Sequence, residues 1–114
     1  MPFIGTKTNK TLSKENKIAL KEAFGRAIEL LPGKTETWLM LSFEDDVTMA
    51  FHGDMESPMA YLTVALVGKA PREAYDALTA RLCEILKEEL GIAQNMVYIK
   101  YEEVDHWGFD GYNF

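Results

Sequence analysis

The second residue of the chain is the first with usable chemistry. Met1 precedes Pro2, and an initiator methionine is commonly removed before so small a residue. Removal leaves a secondary amine at the N-terminus. An ordinary α-amino group has a pKa of about 7.7–8.0. Burial in an apolar pocket disfavours its charged form and lowers that value. A neutral amine near pH 7 is a usable general base or nucleophile. On Met-Pro alone, the bland reading is that Pro2 is merely the neighbour of an initiator. Other reactive residues are few. Lys34 follows Pro32-Gly33, where a long side chain past a helix end reaches a cleft. Met96, Tyr98 and Lys100 alternate, so they share one face of any strand through them. Tyr98 brings a phenol able to stabilise charge developing on an enolate oxygen.

Several chemistries are excluded. His52 and His106 are too isolated for a metal site. Glu44-Asp45-Asp46 lacks the calcium-loop pattern and reads as a solvated hairpin turn. No phosphate loop, nucleophile elbow or dinucleotide fingerprint is present. A single cysteine, Cys83, cannot form an intramolecular disulfide, and between Leu82 and Ile85 it reads as a packing residue. A net charge of −6 argues against nucleic acid or an anionic membrane surface as partner. No apolar run approaches the roughly 20 residues of a membrane helix. The N-terminus shows no targeting segment, which makes the cytoplasm the default compartment and leaves non-classical secretion open.

These residues must be held by a fold, and 114 residues suffice for one domain with a real core. Strands are expected over residues 3–9, 38–43, 47–51, 60–67 and 96–102, with 47–51 closing a hairpin through Glu44-Asp45-Asp46. Helices are expected over 13–31 and 71–90. Ser13 caps the first, Pro32-Gly33 ends it, and Pro71 takes the first position of the second. Residues 105–114 form an aromatic tail.

The order hides a repeat. Phe3 and Tyr61, Leu20 and Leu78, Phe24 and Leu82, Ile28 and Leu86, and Gly33 and Gly91 all stand 58 residues apart. The chain is thus an α+β fold of two βαβ halves, about 2–56 and 57–114, within one domain, with a four-stranded mixed sheet. Two helices cover only one sheet face. The other requires a further partner, most simply other copies of the chain.

Pro2-Phe3-Ile4 opening a strand, Gly33-Lys34, Met49-Ala50-Phe51 then Gly53, Glu56-Ser57-Pro58, Gly68, Val97-Tyr98-Ile99-Lys100-Tyr101 and Gly108-Phe109 occur in order. Together they resemble the tautomerase superfamily, in particular its macrophage migration inhibitory factor and D-dopachrome tautomerase family, over essentially the whole chain. The resemblance implies a homotrimer whose sheets form a barrel, with active sites between subunits. It implies no cofactor, and a free Pro2 moving a proton between the keto and enol forms of an α-keto acid such as phenylpyruvate. Lys34 then binds the substrate carboxylate. Val67 presents its backbone N–H, and Tyr98 arrives from a neighbouring subunit. Trp38, Phe109 and Phe114 supply aromatic walls. Lys34, Lys100 and the amine converging on one pocket would suit a small anion despite the acidic chain.

Two departures stand out. Lys100 replaces an asparagine of the best-known members, adding charge and removing an acceptor. Met59 and Leu62 replace a Cys-x-x-Cys found in some, so a thiol–disulfide activity does not carry over. Two other readings stay open. One is an interaction protein, cytokine-like or ligand-binding, on the same trimer with little turnover and a protein receptor as partner. The other is hydration or dehalogenation of an unsaturated acid. That chemistry usually needs an arginine pair, whereas Arg26, Arg72 and Arg81 all fall on the expected helices.

Overall fold

The computed structural model describes residues 1–114. Its main elements are β1 (Pro2–Thr8), α1 (Lys14–Ala27), β2 (Met40–Glu44), β3 (Ala60–Val67), α2 (Arg72–Leu90) and β4 (Val97–Val104). Short 3-10 turns cover Ile28–Leu30, Glu36–Trp38 and Gln94–Met96. One mixed sheet runs in the order β2-β1-β3-β4. Each βαβ unit pairs its strands in parallel, β1 with β2 and β3 with β4. The two units meet antiparallel, with Gly5 opposite Thr63.

Period-two alternation divides the sheet into two unlike faces. Ile4, Leu62, Val64 and Leu66 point to the helices and are fully buried. They pack on Leu20, Phe24 and Ile28 of the first helical segment and on Leu78, Leu82, Ile85 and Leu86 of α2. The opposite face carries Phe3, Gly5 and Lys7 of β1, Met40, Ser42 and Glu44 of β2, and Tyr98, Lys100 and Glu102 of β4. None of these nine is buried. Met40 is 68% and Tyr98 62% exposed, so this face ends in apolar side chains that the chain itself leaves uncovered.

Local chemistry sets the element ends. Ser13 accepts the amide of Asn16, and the Asn16 side chain accepts the amide of Ser13 in return, a reciprocal cap on α1. The α-helix stops at Ala27 rather than at residue 31. The chain tightens to 3-10, and Leu31 is extended because Pro32 follows it. Pro71 stands one position before α2 rather than at its first residue. It is extended, with ψ 150°, and its carbonyl accepts from Ala74 and Tyr75. Gly91 ends that helix at φ 67°, a left-handed conformation that glycine adopts without penalty.

The strand and hairpin expected at 47–51 do not form. Asp45 instead accepts the amide of Leu12, and Asp46 accepts the Thr11 hydroxyl. The amides of Asp46 and Val47 donate to Lys10 and Thr8. These side chains bind Glu44-Asp45-Asp46 to the connection after β1, so the chain does not reverse onto β2. The segment closes later in a tight turn. Phe51 and Asp54 exchange both backbone hydrogen bonds at 2.9 Å, and His52 and Gly53 between them have positive φ. The aromatic tail is a separate hairpin of β5 (Gly108–Phe109) and β6 (Tyr112–Asn113). Asp110 and Gly111 turn it at φ 56° and 91°, the left-handed pair that a two-residue hairpin loop requires.

Thr6 lies on the helix-covered face, 1% exposed, and its hydroxyl has no hydrogen-bond partner. An unpaired buried hydroxyl costs about 1–3 kcal/mol. Thr6→Val keeps the shape and removes that group. Urea denaturation of the variant is expected to show about 1 kcal/mol more stability; a loss of stability would show that the hydroxyl is paired.

Candidate functional site

The sheet order determines where the N-terminus lies. β1 is an interior strand, so its first residues are held on both sides. Pro2 pairs with Leu66, and Phe3 pairs with both Met40 and Ala65. Proline has no N–H to donate and is tolerated at the first position of a strand. Pro2 is buried there. It helps line a cleft of about 690 Å³ whose walls come from three places. Pro2, Phe3 and Ala65 come from the sheet, with Met1 just ahead of β1. Thr37, Trp38, Leu39 and Met40 come from the 3-10 turn and the start of β2. Trp107, Gly108 and Phe109 come from the start of the C-terminal hairpin. None of these side chains is charged.

The aromatic residues of this cleft brace one another. The Trp38 and Phe109 rings meet edge to face at 5.5 Å and 86°, the geometry that the ring quadrupoles favour. Phe114 stands behind Phe109 at 6.4 Å.

The charge at the site comes from Lys34. Its ammonium donates to the Val67 carbonyl at 3.5 Å and reaches the α-amino group of Met1. That amine is held below its ordinary pKa, first by burial and then by the Lys34 charge and hydrogen bond. All three effects disfavour the protonated amine. Lys34, Val67, Pro2, Trp38, Phe109 and Phe114 therefore gather at one end of the sheet.

Tyr98 and Lys100 of the same chain do not join them. Tyr98 pairs with Tyr61, which pairs with Lys7, five residues along β1 from Pro2 and so about 17 Å away. It lines a second, apolar cleft of about 290 Å³ with Met49, Phe51, Met59 and Met96, and its ring lies 4.6 Å from that of Phe51. Lys100 is engaged on the uncovered face. It pairs with Glu102 at 3.7 Å and lies 5.7 Å from the centre of the Tyr61 ring. Tyr61 and Glu102 together push its pKa up. The convergence of two lysines on the amine is thus not made within one protomer; Lys34 alone reaches it. Nor do three His, Cys, Asp or Glu side chains gather anywhere in a way that would hold a metal.

Phe3, Thr37, Leu39, Met40, Ala65 and Trp107 line the cleft in addition to the candidates drawn from the sequence. The signal for Trp107 was present. Asp110-Gly111 marks a hairpin, and alternation back along its first strand puts Phe109 and Trp107 on one face.

A family model described as macrophage migration inhibitory factor (MIF) matches residues 1–114. The chain belongs to the macrophage migration inhibitory factor family. The macrophage migration inhibitory factor of Xenopus laevis is 31% identical over 84 residues, 72% of each chain. The crystal structure of Leishmania major MIF2 superposes on this family member with a TM-score of 0.93 at 29% identity, covering 100% of this chain and 97% of the other. A homologue from Prochlorococcus marinus gives 0.88 at 28% identity, with 98% of each chain covered. The likeness spans β1, both βαβ units and the C-terminal hairpin, the elements that build the cleft of this MIF-family chain.

Lys34→Gln removes the charge beside the α-amino group and leaves its burial in place. The amine pKa is expected to rise toward the ordinary 7.7–8.0, followed by NMR titration of the N-terminal residue. An unchanged value would show that Lys34 does not act on the amine.

Proposed function

We propose that this protein is a cofactor-free keto–enol tautomerase of phenylpyruvate-like α-keto acids. It acts as a homotrimer, with the Pro2 amine, freed by removal of Met1, as general base. The observation that carries this reading is the burial of Pro2 on an apolar cleft with Lys34 at the chain's amine. Removing Met1 puts the proline nitrogen at the terminus, within the buried start of β1, where burial and a nearby lysine charge would disfavour its protonated form. In enolisation the neutral nitrogen takes a proton from C3 of the keto acid. The C3–H electrons form the C2–C3 double bond, and the carbonyl oxygen gains the charge and then a proton. Ketonisation reverses these steps, and no redox change occurs. Lys34 attracts the carboxylate, and the ring of the substrate lies against Trp38 and Phe109. A phenol donor near the oxygen lowers the barrier to the enolate.

In this reading the donor is Tyr98 of a neighbouring copy. Tyr98 is exposed in the single chain, and the open sheet face gives copies a reason to associate. Lys100 would have to leave Glu102 and Tyr61 to add its charge to that shared site, which makes Lys34 the principal carboxylate ligand.

Met1 favours a second reading. While it remains, the Pro2 nitrogen is an amide without basicity, and Met1 itself lines the cleft. The aromatic pocket would then serve a cytokine-like or ligand-binding interaction protein. Ultraviolet loss of enol-phenylpyruvate separates the two. Pro2→Ala is expected to reduce the rate at least about 100-fold, the usual size of a general-base contribution. The same preparation is expected to scatter light as three chains of 12.9 kDa. Equal rates for wild type and Pro2→Ala would overturn the catalytic reading, and a monomer would overturn the shared site.

A further inference from the structure

We propose that Trp107 is a specificity-determining residue of the cleft, selecting monocarboxylates with an aromatic side chain over those with an alkyl one. The inference rests on the reading of the Pro2 cleft as the ligand site and adds the residue that sorts its ligands. Four rings line the cleft, those of Phe3, Trp38, Trp107 and Phe109; the Phe3 ring lies back along β1 over Gly5. Trp38 and Phe109 are committed to each other at 5.5 Å, and Phe114 backs Phe109. Trp107 stands outside this braced set. Its backbone is fixed, because its carbonyl accepts the amide of Phe114 at 3.1 Å across the hairpin. Alternation places it on the same face as Phe109. The Asp110-Gly111 turn keeps both residues at the cleft. A half-buried indole on a fixed backbone, with no ring of its own to pack against, offers a preorganised surface for an incoming ring.

The charges complete the argument. The cation at this end of the sheet is Lys34, beside the amine, and the cleft-lining side chains are all uncharged. One carboxylate is therefore matched. A second would be desolvated among rings and aliphatic groups without a partner. The ligand is anionic at one end and aromatic at the other, and Trp107 reads the aromatic end.

The test measures binding, so it does not depend on turnover. Dissociation constants of 3-phenylpropionate and butyrate are measured by calorimetry or NMR titration for wild type, Trp107→Ala and Trp107→Phe. Wild type is expected to prefer 3-phenylpropionate. Trp107→Ala should weaken 3-phenylpropionate about five- to tenfold, the size of one aromatic pair, and leave butyrate within about twofold. Trp107→Phe restores a ring and should recover most of the loss, which separates a lost contact from a disturbed fold. The proposal is overturned if wild type shows no preference, if Trp107→Ala weakens both ligands equally, or if Trp107→Phe is as weak as Trp107→Ala. Intact selective binding without enol-phenylpyruvate turnover would remove the tautomerase reading and leave this one standing.

Discussion

Everything at the cleft depends on β1 being an interior strand. A chain terminus ordinarily frays, because nothing holds its last residues on both sides. Here Phe3 is paired on one side with Met40 and on the other with Ala65, and Pro2 faces Leu66. The amine is consequently held at a fixed place on the sheet, beside Lys34 and at the base of an aromatic cleft. A side-chain base would need a rotamer fixed by packing. An N-terminal amine at the end of a central strand is positioned by the backbone ladder itself. The βαβ unit supplies the rest. α1 carries the chain back over the sheet, and the connection to β2 delivers Lys34 and Trp38 to the same end as the strand's start.

The same topology leaves a deficit. Two helices cover one face, and the core between them holds Phe24, Leu82 and their neighbours at full burial. The other face is polar in the middle and apolar at its ends, where Met40 and Tyr98 lie open. In the proposed trimer that deficit and the incomplete site are one feature. The end of the sheet remote from Pro2 presents the Tyr98 phenol, and the end bearing Pro2 lacks a donor. Association would cover the apolar ends and bring the phenol to the amine in one step.

Much of this was legible in the sequence because the elements concerned are determined by local pattern. The apolar run over Ala60–Val67, interrupted only by Thr63, has the length and composition of a buried strand, and the stripe from Leu78 to Leu90 has the spacing of a helix lying on a core. Failure came where distant side chains decide. The path of residues 47–51 depends on Asp45 and Asp46 binding Leu12 and Thr11, more than 30 residues earlier, and no local propensity encodes that. Strand alternation places Lys100 on the same face as Tyr98; its contacts there with Glu102 and Tyr61 within one chain require the register of β4 on β3. Trp107 is a different case. Its signal is local and lies in the Asp110-Gly111 turn, whereas composition alone shows the tail only as a run of aromatics. Of the site, Pro2 and Lys34 are legible as residues with usable chemistry, the resemblance gives their roles, and the structure adds the physical ground for pairing them.

A Pro2 base requires a free proline nitrogen at the start of β1. Intact-mass analysis of the native protein decides whether that nitrogen is free. The expected chain is lighter than the full 114-residue sequence by one methionine residue and begins at Pro2. A mass that retains Met1 would make the Pro2 nitrogen an amide and contradict the claim, whatever the fold.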